Sequence, residues 1–390
     1  MKPHSKILSV MAKKTTNKLQ NPFVYQGYKG PDYFCDRTEE TEKLISSLRN
    51  GRNVTLVAPR KMGKTGLIKH AFYQIKQQNK DAICLYVDIF STRNQRELVE
   101  LLWRTVVEET FSKRKTFTSK MADVFMGLRP TVSPDPLTGA PSFSVSVEPV
   151  QAEHTLKGIL DYLDSLQKEV YLAIDEFQQI AEYPETGTEA LLRSLIQFTH
   201  HIGFVFSGSH QHLMAEMFSS PKRPFFQSTQ LMGLQPLHEE IYYEFARRFF
   251  EAKGGAFDAA PFHRLYERFG GYTWYMQAVL NRLYEDEKRV ETEQKVTEAI
   301  LNVLDMLALQ YESMVSFLTN NQFSLLKAVA KAGRVVSPQS NAFIRQYGLP
   351  GSSSVKTALD VLLAKDLVCH TPQGYIVSDR FMDLWLKRTF

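Results

Sequence analysis

The eight residues from Ala58 to Thr65, Ala-Pro-Arg-Lys-Met-Gly-Lys-Thr, constrain this chain more than any other stretch. They follow a short apolar run, Val54-Thr-Leu-Val57, and precede a helical pattern, Gly66-Leu-Ile-Lys-His-Ala-Phe72. A strand that runs through a Gly-Lys-Thr loop into a helix is a phosphate cradle. Backbone N–H groups of the loop and of the helix N-terminus converge on anionic oxygens. In such a loop Lys64 reaches the β- and γ-phosphates, and the Thr65 hydroxyl sits on Mg²⁺. The candidate cradle is therefore Ala58, Pro59, Arg60, Lys61, Met62, Gly63, Lys64, Thr65 and Gly66. Its first position, glycine in the full pattern, is Ala58, which lacks glycine's freedom at positive φ. The competing reading is a chance Gly-Lys-Thr in a surface turn. The strand before it and the helix after it count against that reading.

Phosphate chemistry also needs a carboxylate to organise the metal and a group to orient water. Val170-Tyr-Leu-Ala-Ile174 is an apolar run that ends in Asp175-Glu176. Asp175 is the candidate for supporting Mg²⁺, and Glu176 for polarising water in line with the γ-phosphate. The next strand-like run, Gly203-Phe-Val-Phe206, ends in Ser207-Gly208-Ser209. Ser207 is a candidate γ-phosphate sensor, with a simple strand-end turn as the alternative. Transition-state charge calls for an arginine, in cis or from a neighbour. Arg60, Arg193 and Arg223 are the candidates, against the plainer reading of solvated or ion-paired side chains. Arg223 sits in a Pro-flanked aromatic loop, Pro221 to Gln227. His200, His201, His210 and His212 read as helix-end and loop residues rather than as a metal cluster.

Strands alternating with helices predict a parallel α/β sheet. Within the 390 residues we expect a basic flexible tail over residues 1–22, with Met11 an alternative start. The α/β core is expected over 23–235, with an insertion at about 115–152 whose prolines exclude a long helix. A short strand is expected over Ser142–Val147, paired in a hairpin. Helical patterning predicts a lid over 236–318. From 319 to 390 the order is helix, helix, turn, helix, hairpin, which is that of a winged helix. Its third helix exposes Ser353, Ser354, Lys356 and Thr357, and Ser354 and Lys356 are candidate DNA contacts. A purely intramolecular or protein-binding role is the alternative. The net charge of +5 permits nucleic acid without requiring it. Three cysteines, Cys35, Cys84 and Cys369, lie far apart and fit a reducing cytoplasm rather than a disulfide framework. No apolar run reaches the length of a membrane span.

In this order the parts resemble the archaeal-type ATPase family of the STAND class of P-loop NTPases, which is related to the AAA+ ATPases. The resemblance runs from about residue 30 to the end. Walker A matches Ala58–Thr65, Walker B matches Ile174–Glu176, and the Gly-Ser sensor resembles Ser207-Gly208-Ser209. The opening motif resembles Phe34-Cys-Asp-Arg37, with Asp36 in a glycine's place, and implies that Arg37 lies near the adenine. The lid's Leu-x-Pro-Leu matches Leu234-Gln-Pro236-Leu237. Its Gly-x-Pro motif is kept only in part, as Gly270-Gly271-Tyr272-Thr273 without the proline. The family's arginine before the lid falls by spacing on Gln227, which leaves Arg223 as a substitute. The segment Gly374 to Trp385 is similar to the family's closing winged-helix segment. The resemblance implies a P-loop NTPase core with a helical lid and a C-terminal winged-helix domain. It also implies a Mg²⁺-dependent ATPase that couples nucleotide state to winged-helix or partner interactions. A DNA-binding regulator or a protein scaffold in which ATP is structural are the alternatives, and a homo-oligomer is open. No nuclease is implied.

Overall fold

The computed structural model describes residues 19–111, 128–134, 141–147 and 152–390. Most of the expected tail, and the ends and turn of the expected insertion, lie outside them. Helix α1 (Thr38–Arg49) leads into strand β1 (Val54–Val57) and helix α2 (Lys64–Gln78). Strand β2 (Ile83–Asp88) and helix α3 (Gln95–Phe111) follow. Strands β3 (Leu128–Pro134) and β4 (Pro141–Val147) pair antiparallel as a hairpin, so the expected strand at 142–147 has its partner upstream. Helix α4 (Ala152–Ser165) then precedes β5 (Val170–Asp175), α5 (Thr188–Ile196), β6 (Ile202–Gly208), α6 (Gln211–Ser219) and β7 (Gln230–Gly233).

Five of these strands form one sheet in the order β2-β5-β6-β1-β7, and every pairing is parallel. Parallel neighbours need crossovers, and the helices that provide them cover both faces. That is why β5 is buried at all six residues. Alternate β5 side chains face opposite layers. Tyr171 and Ala173 join Leu44, Leu67 and Ile68 on one side, while Leu172 and Ile174 join Leu98, Trp103 and Leu156 on the other. Strand β6 is inserted between β1 and β5. The ends of the P-loop strand, the serine-bearing strand and the acidic strand are therefore neighbours.

The lid comprises α7 (Glu239–Ala252), β8 (Ala256–Phe257), α8 (Ala259–Phe269), α9 (Thr273–Asp286), β9 (Arg289–Val290) and α10 (Glu293–Ser316). Its two motifs meet. A Cβ on Gly271, which has φ +69°, would lie 2.8 Å from Pro236 and 2.9 Å from Tyr266, so the backbone there has no room for a side chain. The winged helix follows as α11 (Asn320–Ala332), α12 (Asn341–Tyr347), α13 (Ser352–Ala364), β10 (Val368–Thr371) and β11 (Gly374–Val377). A last helix, α14 (Arg380–Thr389), extends the expected order. Asp379 caps it by accepting from the Phe381 and Met382 N–H groups. No helix among the described residues is long and apolar enough to cross a membrane.

Lid and winged helix share one continuous hydrophobic core that runs from Leu237 to Leu386. Phe381 joins them, with ring centroids 5.0 Å from Phe269 and 5.1 Å from Tyr275. Residues 19–22 differ from the expected tail. Asn21 Nδ2 donates to the Asn281 carbonyl at 2.7 Å, and Asn281 Nδ2 donates to the Phe23 carbonyl at 2.7 Å. The Phe23 ring is fully buried against Phe245, Phe249, Phe250 and Tyr284. This anchor has no periodicity, so only the fold reveals it.

Because Phe381 bridges the two units, Phe381→Ala should destabilise lid and winged helix together, by about 3–5 kcal/mol. Thermal unfolding followed by circular dichroism measures this, and an unchanged midpoint would rule out a shared core at that ring.

Candidate functional site

Strand β1 is buried from Val54 to Leu56 and delivers the loop to the C-terminal edge of the sheet. There, crevices outside the strand ends are the usual ligand sites of α/β sheets. The loop residues at positive φ are Lys61 (69°) and Gly63 (93°). Ala58 is not among them, so its Cβ costs nothing in this conformation. Gly63 caps α2 without any side-chain cap bond, which leaves the first-turn N–H groups to an anion. The Lys64 ammonium is buried and donates to the carbonyls of Ala58 at 2.7 Å and Pro59 at 3.2 Å. Burial lowers its pKa, and the nearby charges of Glu176 and Asp175 act against that.

Asp175 is only 3% exposed and is fully engaged. One oxygen accepts from Thr65 Oγ1 at 2.8 Å and from the Tyr86 hydroxyl. The other accepts from Ser207 Oγ at 2.5 Å and from the Glu176 N–H at 3.0 Å. Glu176 turns the chain with φ 55° and leaves the strand line. Its Oε2 accepts from Gln178 Nε2 at 2.5 Å and from Ser209 Oγ at 2.7 Å. Gly208 allows this clasp. A Cβ there would lie 2.3 Å from Gln178 Oε1 and 2.6 Å from Met214 Sδ. The Thr65 hydroxyl beside the Asp175 carboxylate is an all-oxygen donor set, which fits Mg²⁺.

A cavity of about 530 Å³ opens beside this network. It is lined by Arg60, Lys61, Gly63, Lys64, Thr65, Gly66 and Glu176, by Tyr25, Tyr28, Tyr33 and Phe34 among residues of the N-terminal segment, and by Thr273, Trp274 and Gln277 of α9. The lid is tied to the loop here. Trp274 N–H donates to the Lys61 carbonyl at 3.0 Å, and Thr273 Oγ1 to the Met62 carbonyl at 3.3 Å. The winged helix is tied to it as well. Lys61 Nζ lies 2.5 Å from Asp379 and over the Trp274 ring at 3.9 Å. Arg60 Nη1 lies 3.0 Å from Asp366, whose other oxygen is 3.5 Å from His210 Nε2.

Several expected residues stand elsewhere. Arg37 is 4% exposed and does not line the cavity. It supports the loop from behind, donating to the Met62 carbonyl at 3.3 Å and pairing with Glu40 at 2.6 Å. Ala58, Pro59, Met62 and Ser207 also lie off the lining. Arg223 pairs with Glu189 at 2.9 Å and Glu216 at 3.7 Å, and Arg193 donates to Gln197 at 3.3 Å. Neither arginine lines the cavity. Lys356 is exposed and Ser354 half-buried on α13. The histidines form no metal site among the described residues.

Other site residues escaped the sequence reading. Tyr86 and Asp88 come from β2, and Asp88 pairs in register with Asp175. Burial raises the Asp88 pKa, with Asp175 and Glu176 adding to the rise, while the bond from Phe90 N–H opposes it. The signal available for Asp88 was its place at the C-terminal end of a buried strand. Tyr25, Tyr28, Trp274 and Gln277 carried none.

Residues 34–279 match the family described as an ATPase domain predominantly from Archaea, and residues 309–388 match a probable winged helix domain. Among solved structures, the Walker-type ATPase PABY2304 of Pyrococcus abyssi is similar at TM-score 0.64 and 16% identity, over 94% of this chain and 99% of that one. The Aeropyrum pernix ORC2 protein, in its ADPNP-ADP complexes, is similar at TM-score 0.55 and 16% identity, over 90% and 94%. The Aeropyrum pernix ORC1 protein, in complex with DNA, is similar at 0.54 and 13%, over 95% and 97%. These identities establish a shared fold. No curated protein sequence matches the chain. With its P-loop core and the start of its lid matched over residues 34–279, the chain is a member of the family of ATPase domains found predominantly in Archaea.

Proposed function

We propose that the protein is a Mg²⁺-dependent ATPase switch in which nucleotide at the P-loop sets the position of the lid and winged helix. One observation carries the coupling. Arg60 and Lys61, adjacent residues of the loop, are held by Asp366 and Asp379 of the winged helix. Phosphate oxygens at the same loop compete with those two carboxylates for the two cations. A ligand shifts an equilibrium only through contacts that differ between the two states, and this competition is such a difference. The shared core makes lid and winged helix respond as one piece.

Within the site, Lys64 and the first-turn N–H groups of α2 hold the β- and γ-phosphates. Thr65 and Asp175 hold Mg²⁺, which neutralises charge on the phosphate oxygens. Glu176 orients the attacking water. Its bonds from Gln178 and Ser209 both fall on Oε2, so Oε1 is the oxygen that receives the water's proton contact. Ser207 fixes Asp175 rather than meeting phosphate itself. A homo-oligomer would bring an arginine from a second copy, and Arg223 is the candidate for that role. A second reading is a regulator that contacts DNA through Ser354 and Lys356. Exposed Lys356 favours it, as does the fold shared with an ORC1 protein solved with DNA. A protein partner for the winged helix is the remaining alternative.

Purified protein should hydrolyse ATP in the presence of Mg²⁺. Glu176→Gln should keep ATP binding and lose about 10²–10⁴-fold in turnover, whereas Lys64→Ala should lose binding. Wild type that binds ATP without cleaving it, alone or with duplex DNA, would overturn the enzyme reading. For the DNA reading, Lys356→Ala should weaken duplex binding and flatten its salt dependence by about one unit of slope. An unchanged slope would remove Lys356 from any such contact.

Docking of the winged helix should also depend on pH. The hydrogen bond to Asp366 raises the His210 pKa, and Glu182 adds to the rise, while burial and Arg60 oppose it. The same bond lowers the Asp366 pKa, with Arg60 adding and burial opposing. The His210 contribution is therefore complete below its unfolded value of about 6.5 and is lost as pH rises through its folded value. The Asp366 contribution is lost only as pH falls through its own lowered value. Hydrogen exchange in α13 should accelerate from pH 6 to pH 8 beyond the intrinsic chemical rate. His210→Gln should abolish that excess, and an excess that persists would assign the dependence elsewhere.

A further inference from the structure

Asp175 has no lone pair to spare. An ionised carboxylate offers about four acceptor sites. Thr65 Oγ1 and the Tyr86 hydroxyl take those on Oδ2, and Ser207 Oγ and the Glu176 N–H take those on Oδ1. A cation held beside Thr65 needs one of these sites. Direct coordination uses a carboxylate lone pair, and so does a hydrogen bond from a water on the cation. The four bonds and a bound cation therefore exclude each other, and one donor has to yield.

Three of the donors are not free to do so. The Glu176 N–H is main chain, next to Asp175 itself. Ser207 is fully buried on a strand held from both sides, and it meets the other oxygen. Thr65 gives its proton to Asp175 while its lone pairs remain for a metal, so its bond is compatible with the cation. Tyr86 differs on each count. It comes from β2, an edge strand of the sheet, and its side chain is only partly buried. Its hydroxyl shares Oδ2 with Thr65 and lies 3.5 Å from Thr65 Oγ1. Its ring also lies 4.7 Å from the Lys69 ammonium of α2, a contact that does not use the hydroxyl.

We propose that the Tyr86 hydroxyl keeps the metal's place on Asp175 and leaves Oδ2 when Mg²⁺ binds with nucleotide. Without the cation, its proton satisfies a buried charge that would be costly to leave short of a donor. With the cation, that need is met and the bond is given up. Tyr86 thereby weakens metal binding by the strength of the bond it surrenders, and it protects the metal-free fold by the same amount. The inference rests on binding of Mg²⁺ and nucleotide at the P-loop, and it assigns to that site a residue that tunes its metal affinity.

The test compares the full chain with Tyr86→Phe, which keeps the ring and removes the hydroxyl. Calorimetry measures the affinity for ADPNP, an ATP analogue that resists cleavage, once in EDTA and once in excess Mg²⁺. The ratio of the two affinities is the metal's contribution. Tyr86→Phe should raise that ratio at least about fivefold, with the affinity in EDTA changed by less than about twofold. Thermal unfolding supplies the second readout. In EDTA the variant should melt about 2 °C or more below wild type, and saturating ADPNP with Mg²⁺ should close the gap. An unchanged ratio overturns the proposal. A lowered ratio overturns it too, because Tyr86 would then support the metal rather than yield to it. A melting deficit that persists with Mg²⁺ and ADPNP would show that the bond is kept in the loaded protein, which also overturns it. Wild type that binds ADPNP equally with and without Mg²⁺ removes the metal and this inference but leaves the nucleotide site. Wild type that binds no ADPNP removes the site reading and the inference together.

Discussion

A carboxylate buried at the end of a parallel sheet must be satisfied by its neighbours, and the arrangement around Asp175 is built on that requirement. Donors reach it from four directions: Thr65 from the start of α2, Tyr86 from β2, Ser207 from β6, and the Glu176 backbone. Losing one such donor inside a protein costs about 1–3 kcal/mol, more for a charged acceptor. The carboxylate therefore clamps three strand ends and the P-loop helix in one register. It also sets the turn at Glu176, which carries that side chain out of the strand line to Gln178 and Ser209. Thr65, Tyr86, Ser207 and the Glu176 turn stand where they do because one buried charge leaves few other arrangements.

The second organising set of contacts is polar and centres on the P-loop. The P-loop touches three separate parts of the chain besides its own sheet. Arg37 braces it from behind through Met62, Thr273 and Trp274 hold it from the lid, and Asp366 and Asp379 hold it from the winged helix. In contrast, lid and winged helix are fused by rings such as Phe269, Tyr275 and Phe381. Polar ties between units and an apolar fusion within one would suit the switch proposed above. Charged contacts can exchange water or phosphate at modest cost, whereas a packed core cannot open by degrees.

Much of the fold was legible because its signals are local. A continuous apolar run such as Val170–Ile174 marks a strand covered on both faces, and Gly63-Lys64-Thr65 marks the loop that must precede a helix. Sequence also marked the acidic strand end, since Asp175 and Glu176 are adjacent. Less legible were residues whose role depends on strand order or on a distant segment. Asp88 and Tyr86 enter the site only because β2 lies beside β5. Gln277 enters because α9, far along the chain from Gly63, returns to the loop through Thr273 and Trp274. Arg37 and Arg223 show the reverse. Arg37 was suggested by its motif and Arg223 by its loop, and within the chain they meet Met62 with Glu40, and Glu189 with Glu216.

By itself the sequence determined the phosphate loop, the acidic strand end, the alternation of strands and helices, and the winged-helix order near the C-terminus. Each is written in consecutive residues, where backbone geometry and side-chain period act directly. Tertiary structure alone decided that Phe23 anchors the N-terminal segment, that Ser207 meets Asp175, and that Asp366 and Asp379 meet the P-loop. Those pairings join positions far apart in the chain. They are chosen by which surfaces can be buried together and which charges then find partners, and neither is encoded within any single window of the sequence.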